Sequence, residues 1–367
     1  MQLRYRKQAT AAGVAVVALT LTLGACSSSS SSSAPSGGSS GTSSSSGGGS
    51  AKLSGTLNGS GSTFQLSFQQ AAIQAFKSVQ SGLTVNYGGG GSGKGRTDLA
   101  SGTVNFAGSD STIPSKEASN FTGKTVLYFP VVIGPITMSY NLSGVSNLKL
   151  TATDIAGIFD GKIKTWNDPA LKADNSGASL PSTPITIAVR SDSSGTTANF
   201  SQFLVDSAPN WKLGTSSTIS WPAASRGGNG NGGVAQIVKT TPGAIGYVDY
   251  SDAKASGLSY ASVKNKDGNY VAPSISSATS AADNATVAPN LTFASVWTAG
   301  AQSYPVTYQS WDLVYQKQSS TNTTKMLKAY IGYLLGAGQK LLPQLNYAPL
   351  PASLDQKATA QLSKIGS

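Results

Sequence analysis

The residues best suited to chemistry lie together in Arg190-Ser191-Asp192-Ser193-Ser194-Gly195-Thr196-Thr197. Arg190 offers a planar fork of N–H donors that matches a tetrahedral oxyanion, and Asp192 can hold that fork in position. Ser194 and Thr196 add hydroxyl donors, and Gly195 lets the backbone come close. Before the turn, Pro184-Ile185-Thr186-Ile187-Ala188-Val189 is a short β-branched run that reads as a buried strand. After it, Phe200, Phe203 and Leu204 fall at i, i+3 and i+4, the opening of an amphipathic helix. Such a junction aims unpaired N–H groups and the positive end of the helix dipole at one point, a ready anion site. Taken alone, the stretch fits equally a surface turn with Ser194 as N-cap. Two further turns of the same kind, at Gly59–Phe64 and Gly88–Gly95, favour the anion site.

Other chemistries fall away. The chain has no histidine, which removes the usual base of serine hydrolases and most zinc sites. Its single cysteine, Cys26, belongs to the N-terminal leader discussed below and leaves no thiol nucleophile. Ser251-Asp252-Ala253-Lys254 fits S-x-x-K but lacks the companion motifs, and reads as the exposed start of a helix. Gly88 to Lys94 nearly spells a phosphate-binding P-loop, yet Gly95 stands where a hydroxyl must reach magnesium. Gly88, Gly90 and Gly93 also satisfy G-x-G-x-x-G, with Asp110 near the place of a ribose-binding acid. Glycines are so dense here that the match carries little, and the helix pattern after it is short. No cofactor, metal or catalytic residue is therefore expected.

The elements that must position these turns alternate between strand and helix, which predicts an α/β architecture. Leu57 leads through a glycine-hydroxyl turn into a helical stripe of Phe64, Phe68, Ala71, Ala72, Ala75, Phe76 and Val79. Leu83 to Tyr87 is a strand feeding the glycine loop, followed by a short helix expected over 96–101, and then Val104 to Ala107 leads to Gly108-Ser109-Asp110. Two apolar runs flank Gly134, as expected of a crossing between lobes. Thr153 is placed to cap a helix carrying Ile155, Ile158 and Phe159, and Asn167-Asp168-Pro169 opens another with proline in its first turn. Arg226 to Gly233 is a second glycine-rich turn before a helix, and Gly243 to Tyr250 reads as a strand. Val306 to Tyr315 is expected to return the chain to the first lobe. Met326, Leu327, Tyr330, Ile331, Leu334 and Leu335 form one helical stripe, and Ser353 with Gln356 spells a capping box for a last helix.

The N-terminus carries Arg4, Arg6 and Lys7, an apolar run from Ala11 to Leu23, and then Leu23-Gly24-Ala25-Cys26. A basic region, a short apolar core and small residues before a cleavage point make a secretory signal over 1–25. Cys26 after those residues resembles a lipobox, which implies cleavage before it and lipidation of its thiol. From Ser27 to Ser50 the chain is nearly all Ser and Gly, a tether whose r.m.s. reach is on the order of 25–30 Å. Formal charge is +11, falling to +8 without Arg4, Arg6 and Lys7. A positive body of low charge density suits an anionic small ligand. Its lysines and arginines are scattered without a basic-aromatic motif, which argues against nucleic acid.

In order and spacing, eight stretches resemble the phosphate-binding lipoproteins of bacterial Pst phosphate ABC transporters. They are GSGSTF (59–64), VNYGGGGSGKG (85–95), TVNFAGSD (103–110), FPVVIG (129–134), IFDGKIKTWNDPAL (158–171), RSDSSGTT (190–197), GNGNGGVAQIV (228–238) and PGAIGYVDY (242–250). The resemblance implies a two-lobe periplasmic-binding-protein fold of type II with the ligand in the interlobe cleft. It implies ligand contacts from Thr63, Phe64, Ser92, Asp110, Arg190, Ser194, Gly195 and Thr196, with Asp192 supporting the arginine. Lobe I is expected over 53–133 and 307–367, lobe II over 134–306, after a lipidated tether over 26–52. Gln65 to Ser67 replace a proline-containing stretch of the family pattern, and Lys94 adds a charge.

Residue chemistry adds a reason for phosphate. A carboxylate such as Asp110 among anion donors makes sense only if the ligand itself carries a proton, because an ionised carboxylate can only accept. Phosphate near neutrality carries one and sulfate does not, so Asp110 would repel sulfate. The expected function is extracytoplasmic phosphate binding and delivery to an ABC permease by a monomer, lipid-anchored at the outer face of the cell membrane or in the periplasm. The alternatives are a receptor for sulfate, molybdate or a phosphonate, and an envelope phosphatase.

Overall fold

Residues 52–366 are described by the computed structural model. The expected signal segment over 1–25, Cys26 and the Ser/Gly run to Ser50 lie outside them. Alternating apolar positions in Gly55–Gly61 (β1) and Leu83–Gly88 (β2) bury Leu57, Leu83 and Val85 and pair in parallel. Between them, Leu66–Phe76 (α1) turns Phe68, Gln69, Ala72 and Phe76 inward. Ser92–Ala100 (α2) follows β2, and Phe106–Ser109 (β3) returns parallel to β1. The second helix begins at Ser92 and not at the expected Arg96. Gly90 and Gly91 take positive φ (127° and 89°), so the turn closes within the glycines and the helix starts at once. Helix α1 ends before Val79, which is exposed.

Val126–Tyr140 (β4) is the spine of the sheet. Residues 136–140 pair with Ala244–Asp249 (β8), while its earlier part pairs with Thr307–Tyr315 (β12). Lys149–Leu150 (β5), Ala152–Phe159 (α3) and Pro169–Asp174 (α4) come next, then Thr186–Arg190 (β6), Gly195–Ser207 (α5), Arg226–Gly228 (β7) and Gly230–Thr240 (α6). After β8 follow Tyr250–Ala255 (α7), Ser259–Tyr260 (β9), Ser262–Lys264 (β10), Tyr270–Val271 (β11) and Ile275–Asp283 (α8). Thr321–Leu335 (α9) and Ala352–Gln361 (α10) close the chain. Strand order is β2-β1-β3-β12-β4-β8-β6-β7, with β9 also on β4. β5, β10 and β11 form a small separate sheet.

Three local expectations are corrected. Thr151, not Thr153, caps α3, because only Thr151 has an acid three residues on; Asp154 completes the reciprocal cap. The last helix starts after Pro351 with no side-chain cap, placing Ser353 inside its first turn. Ser251 is buried in α7, capped by Asp249, and is no exposed helix start. The stripe of α9 buries Met326, Leu327, Tyr330, Ile331, Leu334 and Leu335, as its spacing predicts.

β1, β2 and β3 run in the direction of β4 while β6, β7 and β8 run against it, so the carboxyl ends of the two groups face each other along the middle of β4, near the levels of Pro130 and Ile136. Gly61, Gly88 and Ser109 on one side of β4, and Arg190 and Gly228 on the other, are the carboxyl ends of β1, β2, β3, β6 and β7. Open α/β sheets bind ligands outside such ends, where the strand order reverses.

Candidate anion-binding site

Asp110 follows β3 directly and is 1% exposed. Its Oδ1 accepts from Ser62 Oγ (2.5 Å) and Ser310 Oγ (2.6 Å), while Oδ2, among the described residues, accepts only from Ser92 Oγ (3.2 Å). The Asp110 N–H donates to Ser92 Oγ (3.1 Å). Burial pushes the Asp110 carboxyl above its ordinary pKa; the hydrogen bonds from Ser310, Ser62 and Ser92 and the charge of Arg190 oppose that rise. Ser310 reaches this point because β12 and β4 slip register between Ser310 and Trp311, which pair with Val132 and Pro130. Pro130 has no N–H to extend the ladder, and the bulge re-aims the strand beside the site.

Arg190 ends β6 and is 5% exposed. Its Nε donates to Asp192 Oδ1 (2.7 Å), its Nη2 to Asp192 Oδ2 (2.5 Å) and its Nη1 to Thr196 Oγ1 (3.3 Å). One hydrogen on each terminal nitrogen remains without a protein partner among the described residues. Burial alone would raise the Asp192 pKa; the paired guanidinium and the Gly230 N–H (3.0 Å) outweigh it and hold the carboxyl below its ordinary value.

Ser194 caps α5, its Oγ accepting from the Thr197 N–H (3.0 Å) and its own N–H donating to Ser217 O (2.9 Å). The cap reading and the anion reading are therefore compatible: the hydroxyl hydrogen stays free to donate. Gly195 and Thr196, the first two residues of α5, have no intrahelical acceptor for their N–H groups. A side chain at Gly195 has no room, since a Cβ there would lie 2.6 Å from Asp110 Oδ2 and closer still to Ser92 Oγ. The start of α5 thus abuts Ser92 and Asp110 from across the sheet. Gly93 N–H donates to Ser193 O (3.0 Å) and Asn199 Nδ2 to Asp110 O (2.6 Å) across the same junction.

Thr63 sits at the rim, its Oγ1 accepting from the Asn231 N–H (3.3 Å) and Nδ2 (3.2 Å); Asn231 Nδ2 also donates to Thr196 Oγ1 (3.3 Å). Phe64 is buried, stacks on Tyr308 with ring centroids 4.0 Å apart, and donates its N–H to Ser62 Oγ (3.1 Å). Ser62 is thus the hydroxyl that touches Asp110 from this turn. All nine residues singled out from sequence converge, with Thr63 and Phe64 at the edge of the group. Ser62, Asn199, Asn231 and Ser310 join them. Ser62 and Asn231 lie inside stretches that carry the family resemblance; nothing local marks Asn199 or Ser310. Lys94 pairs with Asp98 at the surface (2.5 Å) and does not enter the site.

Helices α1, α2 and α5 point their N-terminal ends at this cluster, which adds partial positive charge to that of Arg190. Among the described residues, no three or more His, Cys, Asp or Glu assemble as a metal site. The arrangement suits holding a small anion that carries a proton.

This is the architecture of a solute-binding protein, and the model of the PBP superfamily domain matches residues 46–337. The phosphate-binding protein PstS 3 of Mycobacterium leprae is 34% identical over 321 residues, covering 84% of this chain and 87% of that protein. Phosphate-binding protein PstS of Pasteurella multocida is 35% identical over 312 residues, covering 83% and 89%. The chain belongs to the PstS family of phosphate-binding proteins within that superfamily. Among solved structures, the high-affinity periplasmic phosphate-binding protein PfluDING, bound with phosphate, superposes with TM-score 0.69 at 23% identity, covering 84% of this chain and 94% of that one. The phosphate-binding protein of Stenotrophomonas maltophilia gives 0.66 at 18% identity, with coverage of 84% and 94%. At these identities both likenesses speak to the two-lobe fold.

Proposed function

We propose that this protein is an extracytoplasmic receptor for inorganic phosphate that closes on its ligand and delivers it to an ABC permease, without catalysing a reaction. The observation that carries the reading is Asp110: a buried acid among hydroxyl donors, an arginine and three helix N-termini, with Oδ2 less engaged than Oδ1. An ionised acceptor there favours an oxyanion that brings its own proton. Arg190, Ser194 and the N–H groups of Gly195 and Thr196 would supply the donors, Ser92 adding its hydroxyl hydrogen as that turns from Asp110 Oδ2 to the ligand, with Thr63 and Phe64 at the rim and Asp192 orienting the guanidinium. The names of the PstS relatives support the ligand. The lobes divide as 53–133 with 307–367 and 134–306; the change of β4's partner near Pro135 supports that boundary.

The receptor is a monomer, tethered to the membrane through lipid on Cys26 after cleavage of the signal over 1–25. Among the described residues no helix is long and apolar enough to cross a membrane. Calorimetry of the mature chain against phosphate, sulfate, molybdate and a phosphonate tests the ligand. Tight binding of phosphate with weak or absent sulfate binding is expected; preference for another solute overturns the reading.

A further inference from the structure

A serine hydroxyl has one hydrogen, and its neighbours decide where it points. At Ser310 that choice is made by a buried chain of amides leading away from the site. Gln65 Nε2 donates to Ser310 Oγ (2.8 Å) and to Trp311 O (3.2 Å), while Gln65 Oε1 accepts from Gln69 Nε2 (2.7 Å). The Gln69 amide also donates to the Asp312 carboxylate (3.1 and 3.2 Å), and Gln69 Oε1 accepts from Tyr330 OH (2.6 Å). Gln65, Gln69, Ser310, Asp312 and Tyr330 are all fully buried. The far end is anchored by a carboxylate and a phenol. Asp312 is faced by the phenols of Tyr87 and Tyr330 and by no lysine or arginine partner among the described residues.

The polarity of this chain follows from its ends. Asp312, ionised, can only accept, so Gln69 must turn its NH2 towards it and its oxygen towards Tyr330. Gln69 then donates to Gln65 Oε1, which leaves the Gln65 NH2 to face Ser310 Oγ and Trp311 O. Flipping Gln65 would set its oxygen against two other oxygens and orphan its NH2 in a buried place. Receiving a hydrogen from Gln65, Ser310 gives its own to Asp110 Oδ1. With Oδ1 taken by Ser310 and Ser62, Oδ2 is the oxygen that faces the start of α5 at Gly195.

We propose that Gln65, Gln69 and Asp312 are specificity-determining positioning residues, which fix the Ser310 hydrogen on Asp110 and thereby keep Asp110 Oδ2 as an acceptor for a protonated oxyanion. The inference rests on the phosphate reading given above. It sets discrimination between protonated and unprotonated tetrahedral anions; it adds no contact to the ligand. Gln65→Glu keeps the shape but presents an oxygen to Ser310 in place of NH2, so Ser310 turns away from Asp110 and a second acid enters the network. Gln65→Met removes the chain without adding charge.

The test measures phosphate and sulfate affinities calorimetrically at pH 8 for the mature wild type, Gln65→Glu, Gln65→Met and Asp312→Asn, with circular dichroism melts as a check on folding. Loss of a hydrogen bond to a charged group corresponds to about ten- to hundredfold. The phosphate-to-sulfate affinity ratio is expected to fall by at least tenfold in Gln65→Glu and by less in Gln65→Met and Asp312→Asn. If Gln65→Glu does not fold, a ratio at least threefold below wild type in both remaining variants upholds the inference. Ratios within twofold of wild type in the folded variants overturn it, including the case in which both affinities drop together. A wild type that binds no phosphate overturns the receptor reading itself, whereas a selective wild type with unchanged variant ratios overturns this inference alone.

Discussion

Asp312 is fully buried in β12 with amide and phenol neighbours, and burial, opposed by the hydrogen bonds from Gln69, pushes its pKa up to about 7 from the ordinary 3.8. A folded-state pKa raised above the unfolded one sets the sign of the pH dependence. Below about pH 4 the acid is protonated in both states and its burial costs little. As pH rises the unfolded chain releases the proton first, and stability falls by about 1.4 kcal/mol per unit until the folded state also ionises near pH 7. Three units of difference make this roughly 4 kcal/mol, a large part of the ~5–15 kcal/mol that holds a domain together. Asp312→Asn removes the titration and keeps the volume. Urea unfolding of the mature wild type and of the variant, at pH 4.5 and pH 8, gives the two stability differences. Other buried acids, Asp110 and Asp249 among them, occur in both proteins and largely cancel. The variant is expected to gain about 3–4 kcal/mol relative to wild type between the two pH values. A gain below about 1 kcal/mol would mean that Asp312 is not held as an uncompensated buried acid, and the reasoning about β12 would be refuted.

Further outcomes are expected at the site. Asp110→Asn places an amide NH2 where Oδ2 stands, because Ser62 and Ser310 both donate to the other oxygen; phosphate affinity should fall about ten- to hundredfold and sulfate affinity rise, read by calorimetry. Wild-type affinity should also decline as pH falls through the raised pKa of Asp110, a decline absent from that variant. Gly195→Ala puts a methyl against Asp110 and Ser92, which should weaken phosphate binding by about 1–3 kcal/mol in titrations; the helix start itself tolerates alanine. Arg190→Ala should abolish most binding and cost about 3–5 kcal/mol of stability, because the Asp192 carboxylate, its side chain only 9% exposed, is left without its cation. The double variant with Asp192→Ala should recover much of that stability in urea unfolding but none of the binding.

Much of this protein is legible along the chain because the relevant physics is local. A strand, a glycine-hydroxyl turn and a helix start occur within a few residues of each other, so Arg190, Ser194, Gly195 and Thr196 can be picked out as donors before any contact is known, while Ser92 comes from the family resemblance. The stripe of α9 and the proline-opened start of α4 follow from the helical period and from proline's fixed φ and missing N–H. The second helix was displaced because several glycines leave the turn many conformations, and only the packing of Gly95 against Gly61 and Gly108 selects one.

Tertiary structure alone decided what surrounds Asp110. Ser310 lies 200 positions away and Asn199 lies 89, and no periodicity links such residues. The slip between β12 and β4 that aims Ser310 inward arises from pairing, and the amide chain to Asp312 needs α1, α9 and β12 packed together. Sequence determined which groups could hold an anion, since that depends on their chemistry and their place at element ends. Burial, and with it the acid's proton affinity and the direction of each hydrogen, depends on what the rest of the chain brings alongside.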